Sequence, residues 1–271
     1  MKKFIQINKK IFHKRFEKIL NDFCQKLDKY TTEPNDENIH DIRVSIRRLE
    51  AIYRVLPKSV RKQGDISEYV KQAKQLFKVN AEIRDFDIIC SNMESKYTDK
   101  TTDLVLGLKT SRVEHIKNAN KLALKISLAN RPKICKSDLR KSKLEKRYLK
   151  VLDEIMLDIQ KNAIIALGDE KKIDELHMLR KDFKRLRYSL EIASDKKMTA
   201  GILKDLKNIQ DILGEIHDSD IIINHLRNTK QKSYTDIIEA EVLERVKKYN
   251  TFVTTFKKEL KVDNFVLQFQ H

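Results

Sequence analysis

Apolar residues recur along this chain at intervals of three and four, with no sustained alternation, and that spacing predicts helix throughout. On a helix turned about 100° per residue, Ile42, Ile46, Leu49, Tyr53 and Leu56 share one side. Leu176, Leu179, Phe183, Leu186 and Leu190 do the same further on. The pattern predicts helices over about 9–30, 35–56, 66–95 and 101–130, then about 136–167, 171–194, 200–229 and 234–260. Pro34, Pro57 and Pro132 mark breaks, because proline disfavours helix in the residue before it. Gly168 is placed to stop the fifth helix, and Gly201 lies near the start of the seventh. The fold class expected is therefore all-α. Four helices and four more, joined by short connections, read as two antiparallel four-helix bundles, residues 1–131 and 132–271, jointed at Arg131-Pro132. Phe265, Val266, Leu267 and Phe269 are apolar enough to dock the tail on a bundle.

The polar positions carry a repeat. His40-Asp-Ile-Arg43-Val-Ser-Ile-Arg47-Arg48-Leu49 and His177-Met-Leu-Arg180-Lys-Asp-Phe-Lys184-Arg185-Leu186 both read His-x-x-Arg-x-x-x-(Arg/Lys)-Arg-Leu, 137 residues apart (177 − 40). Arg84-Asp85-Phe86-Asp87 and His217-Asp218-Ser219-Asp220 follow them, 133 residues apart (218 − 85). The chain reads as a duplicated half. Its repeated residues are mostly cations, which implies an extended anion lying between the halves.

Charge supports that direction. The chain has 57 Lys+Arg against 40 Asp+Glu, a formal net charge of +17, which points to acidic partners such as nucleic acid, anionic lipid or another polyanion. His40, Arg43, Arg47 and Arg54 cluster about 130° from the core stripe of their helix. His177, Arg180, Lys184 and Arg187 cluster about 110° from theirs, in the same rotational sense. A two-fold relation between the halves brings such flanks face to face. Lys71, Lys74 and Lys78 make a further row opposite Ala73, Leu76, Asn80 and Ile83; Lys204 and Lys207 repeat two of them, with Asp211 in the third place. A cationic helix face is usually only solvated, and an exposed ion pair contributes about 0–1 kcal/mol, so stability accounts poorly for the rows. Their recurrence behind a histidine favours an anion, since Arg forks grip phosphate oxygens and Lys supplies point charge. A histidine beside such a row gains charge near pH 6.5 and adds a modest pH dependence.

Other chemistry finds less support. Cys24, Cys90 and Cys135 are isolated, so neither a disulfide framework nor a zinc site is indicated. No apolar run is long enough to span a bilayer and the N-terminus lacks a secretory core, so a soluble cytoplasmic protein without membrane insertion is expected. Nucleic-acid binding fits the charge equally. Base stacking fits poorly, because Trp is absent and Tyr188 is the only aromatic expected beside a basic row. A metal-dependent phosphohydrolase is the other rival, through His40-Asp41 and His217-Asp218. Adjacent helical residues point about 100° apart and make poor co-ligands, so Asp85, Asp87, Asp218 and Asp220 read better as groups orienting Arg and Lys. No metal or cofactor is expected.

The two His-led segments resemble the signatures of the CHAD family, the conserved histidine α-helical domain. Asp211-Ile-Leu-Gly-Glu-Ile-His-Asp218 is similar to its Leu-Gly-x-x-(His/Arg)-Asp element, and Ala81-Glu-Ile-Arg-Asp85 is a weaker counterpart. The resemblance covers nearly the whole chain. It implies two four-helix bundles related by pseudo-two-fold symmetry, with a basic central channel that binds inorganic polyphosphate. The function expected is therefore polyphosphate binding without catalysis, with polyphosphate granules among the expected partners. Carried to this chain, it assigns His40, Arg43, Arg47, Arg48, His177, Arg180, Lys184, Arg185 and Arg187 to the ligand. Lys71, Lys74, Lys204 and Lys207 join them from the face argument. Glu50 and Asp211 depart from the expected run of cations, and either narrows the channel or shifts its register.

Overall fold

A computed structural model describes residues 7–192, 196–229 and 231–259. Among them the chain is helical and contains no strand. The helices are α1 (Lys9–Thr32), α2 (Asp36–Val55), α3 (Lys58–Arg61), α4 (Gly64–Lys96), α5 (Thr98–Ser127), α6 (Lys141–Gly168), α7 (Ile173–Leu190), α8 (Lys196–Thr229) and α9 (Thr235–Glu259). The expected tail around Phe265–Phe269 lies outside the described residues.

Local chemistry sets the ends. The Asn8 side chain accepts hydrogen bonds from the Lys10 and Ile11 amides, satisfying donors that the first turn of α1 leaves open. Asn35 caps α2 through the Asn38 amide at 2.9 Å, with Asp36 and Glu37 at the positive end of the helix. Pro34 separates these two helices as expected. After Pro57 the chain makes one unforeseen turn, α3. It is tied down by the Tyr53 hydroxyl donating to the Arg61 carbonyl and by Arg61 Nε donating to the Leu56 carbonyl. The fifth long helix begins at Lys141 rather than near 136. Lys136–Asp138 form a 3-10 turn, and Leu139 leaves helical geometry while fully buried.

Two compact units result, Ile7–Tyr148 and a second one holding Leu149 onward. The division falls inside α6, not at the Arg131-Pro132 joint. Residues after that joint pack back on the first unit: His13 Nε2 donates to the Ile134 carbonyl and Arg147 Nε to the Arg54 carbonyl, both at 2.9 Å.

In the first unit α1 packs on α2, α2 on α4, α4 on α5, and α5 returns to α1. The α1 stripe is Phe12, Phe16, Leu20, Phe23, Leu27 and Tyr30, all buried. It packs on α2, whose buried side includes Ile39, Ile42, Ile46 and Leu49, and reaches α4 where Phe23 meets Tyr69 edge to face and Tyr30 meets Asn80. In the second unit α7 packs on α8 and α8 on α9. α6 joins α7 through Asn162 and Asp182, and joins α9 through the Tyr249 hydroxyl donating to the Ala166 carbonyl. Leu176, Leu179, Phe183 and Leu186 are the buried stripe of α7, and Phe183 meets Phe256 edge to face.

Asn80 sits among apolar neighbours in the first core. Its amide oxygen accepts from the Tyr30 hydroxyl at 2.9 Å and its amide nitrogen donates to the Leu76 carbonyl. Burial pushes the Tyr30 hydroxyl up to about 12, opposed by Asn80 and Arg112, so it remains a donor at neutral pH. Tyr30→Phe leaves the Asn80 oxygen unsatisfied and is expected to cost about 1–3 kcal/mol in urea unfolding. Adding Asn80→Leu should restore part of that loss. A single variant as stable as wild type contradicts the assignment.

Candidate functional site

The α2 row stands beside the core stripe, not opposite it. His40 is exposed, while Arg43 and Arg47 are half-buried. Arg43 donates to the Phe77 carbonyl of α4 at 2.9 Å, and its guanidinium lies 4.2 Å from the centre of the Phe77 ring. The Arg47 guanidinium lies 5.6 Å from the same centre. One aromatic ring therefore receives two guanidiniums, each attracted to its π-cloud by about 0.5–2 kcal/mol. This corrects the expectation that Tyr188 alone among aromatics adjoins a basic row. Phe77 comes from another helix, 34 residues from Arg43.

The α2 and α4 rows meet at Glu50. Its carboxylate accepts from Arg54 at 2.6 Å and lies 3.3 Å from Lys74. Burial would raise the Glu50 pKa, but Arg54 and Lys74 outweigh it and hold the group below its ordinary value. Glu50 thus joins the two rows. Lys71 is exposed, 3.4 Å from Glu68, and Lys78 is exposed. Arg48 follows Arg47 directly, which turns it about 100° further round the helix and off that flank.

The α7 row is built likewise, with His177, Arg180, Lys184 and Arg187 half-buried. His177 Nε2 donates to Asp220 of α8 at 3.0 Å, and its ring centre lies 4.5 Å from that of His217. Burial, helped by Arg180 and His177 against Asp218, holds the His217 imidazolium below the ordinary histidine value. Arg187 donates to the Tyr188 hydroxyl at 3.1 Å and sits 4.9 Å from its ring centre, with Glu191 at 3.9 Å. Arg185 points elsewhere. It donates to Asp158 of α6 and to Asp182, both at 2.8 Å, and Asn162 also donates to Asp182. Burial pushes the Asp182 carboxyl up despite Arg185 and Asn162. Lys204 and Lys207 are exposed on α8, as is Asp211.

Beneath the rows lies a polar interior that the repeated motifs do not mark. The buried stripe of α5 runs Thr101, Val105, Leu108, then Ala119, Ala123 and Ile126, and the two turns between place Arg112 and His115 on the same side. Arg112 Nε donates to buried Asp87 at 2.6 Å, and the same guanidinium pairs with Asp36. His115 stacks edge to face on Phe86 and lies 2.7 Å from Glu82. In α9 the corresponding places hold Arg245 and Lys248, 133 residues on (245 − 112). Arg245 pairs with buried Asp220, and Lys248 donates to Ser219 at 3.0 Å. Each Asp–Arg pair spans 25 residues. The Asp87 and Asp220 carboxylates do orient arginines, but arginines of α5 and α9 rather than of the rows. Spacing from each Asp to an Arg inside an otherwise apolar stripe was the available signal.

Among the described residues no three or more His, Cys, Asp and Glu side chains gather to hold a metal ion. No described helix is long and apolar enough to cross a membrane.

The chain belongs to the CHAD domain family, whose model matches residues 14–227. Its fold is similar to that in the crystal structure of the CHAD domain from the plant Ricinus communis. The two are 14% identical, with a TM-score of 0.65, over 95% of this chain and 92% of that one. Comparison with curated proteins gives no match.

The histidine environment makes a pH test. A histidine held below its unfolded value, about 6.5, binds its proton less readily when folded, so it costs stability as pH falls below that value. His217 and His225 are both held low by burial. The melting temperature should therefore fall as pH drops from 7.5 through 6. His217→Gln should flatten part of that slope, leaving the His225 share. A slope unaltered by the substitution contradicts the buried setting assigned to His217.

Proposed function

We propose that this protein binds inorganic polyphosphate in the cytoplasm and catalyses no reaction on it. The two halves form four-helix bundles related by an approximate two-fold duplication, and their cationic flanks line a basic channel. The observation that carries this reading is the recurrence of one device. On α2 and on α7 a histidine is followed by an arginine three residues on and a cation four residues further, and in both helices those two cations are half-buried beside the core stripe. Membership of the CHAD domain family supports it, as does the equal spacing of the buried Asp87–Arg112 and Asp220–Arg245 pairs.

Within this reading, His40, Arg43, Arg47, Arg180, Lys184 and Arg187 contact phosphate oxygens, His177 lies among them, and Lys71, Lys74, Lys204 and Lys207 supply outlying charge. Arg48 is assigned to the edge of the site. Arg185 locks α6 to α7 through Asp158 and Asp182 and supports the row from behind. The same device argues against base-stacked nucleic acid, because the aromatic faces beside the rows, Phe77 and Tyr188, already carry guanidiniums. A ligand without bases needs only charge density and length.

The test is Arg43→Glu combined with Arg180→Glu. Two charge-assisted contacts at about 1.5–3 kcal/mol each imply a loss of roughly a hundredfold or more in affinity for long polyphosphate. Circular dichroism should show helicity unchanged. Wild-type affinity in the double variant contradicts the assignment.

A further inference from the structure

Between Arg131 and Lys150 nine cations stand against two acids, Asp138 and Glu145, and none of the nine belongs to the rows described above. This stretch contains the start of α6. There Arg140, Lys143 and Arg147 fall at i, i+3 and i+7, beside the buried Leu144, Tyr148 and Val151. Arg140 and Lys143 are exposed, and the Leu144 amide donates to the Arg140 carbonyl at 3.0 Å, so Arg140 opens the helix.

This row does not stand apart from α2. Arg147 Nε donates to the carbonyl of Arg54, the last cation of the α2 row, and Arg61 Nε donates to the carbonyl of Leu56 two residues on. Two guanidiniums are thereby drawn to one helix end, next to Arg54. The partial negative charge of the α2 C-terminus and Glu50 offset part of that positive charge. Capping accounts for the Nε–H groups of Arg61 and Arg147. It does not account for Arg140 and Lys143, which stand exposed on the helical face that Arg147 turns to α2.

We propose that the phosphate-binding row of α2 continues past its C-terminus onto α6 through Arg54, Arg147, Lys143 and Arg140, forming an extension that takes the outer part of a long polyphosphate chain. The inference rests on the function proposed above and adds to it a source of chain-length preference. From His40 to Arg54 the α2 row rises about 21 Å, and from Arg140 to Arg147 the α6 row adds about 10 Å. Chains confined to the first row gain nothing from the second. Longer ones do.

The test titrates wild type and Arg140→Gln/Lys143→Gln with linear polyphosphates of graded length at several salt concentrations. The paired substitution Lys117→Gln/Lys121→Gln on α5 serves as a charge-matched control. Both exposed pairs should leave the helical spectrum unchanged. For long chains the α6 variant should lose about tenfold in affinity at 0.1 M salt, and its salt slope should fall by about 1.4, near 0.7 for each phosphate no longer neutralised. Its affinity for the shortest bound chains should match wild type, and the α5 control should keep the wild-type length dependence. The extension is overturned if the α6 variant keeps that length dependence and slope, or if the control loses as much. Wild type that binds no polyphosphate of any length overturns the proposed function, and the extension with it.

Discussion

Like charges crowd beside an apolar core in this fold, and the rest of the structure is arranged around tolerating them. Two unit charges 4 Å apart repel by about 4 kcal/mol at an effective dielectric of 20, so a half-buried row of cations needs compensation from the scaffold. Different surroundings supply it in different places. Arg43 and Arg47 lie on the Phe77 ring, Arg187 lies on Tyr188, and Glu50 is shared between Arg54 and Lys74. These contacts hold the guanidiniums at the flank instead of letting them extend into solvent. A flank of oriented cations is costly without an anion and favourable with one.

Deeper in each unit, charge is used to lock helices together. Asp87 and Asp220 are buried carboxylates, each paired with an arginine standing in a core stripe. Breaking such a pair from one side strands a buried charge, at a cost of about 3–5 kcal/mol, so the pairs fix which helix faces meet more than they add stability. Asp220 also receives His177 Nε2, which ties the first residue of the α7 row to the interior lock. The cationic row and the buried lock are linked through that one carboxylate.

Much of the architecture was legible in the sequence because the apolar intervals are regular and the few prolines fall between helices. The α7 stripe emerged as expected and the α2 stripe did so except at Tyr53, which is half-buried, since helical spacing determines which side of a helix is buried. The α3 turn was missed because four residues after a proline carry no periodic signal. Phe77 was missed because its ring reaches the arginines from a helix 34 residues away, and helical spacing is silent about contacts between helices. Arg112 and Arg245 sit at core positions that apolar counting skips. Arg185 was grouped with its row from the motif alone, whereas its place on the helix turns it toward Asp158 and Asp182.

Which polyanion the cationic flanks prefer bears most directly on what they are for. The deciding measurement is competition between inorganic polyphosphate and a single-stranded oligonucleotide of matched charge, at one physiological salt concentration, for the intact protein. Polyphosphate should displace the labelled oligonucleotide at far lower concentration than the reverse exchange requires. Equal displacement, or preference for the oligonucleotide, would contradict the central claim.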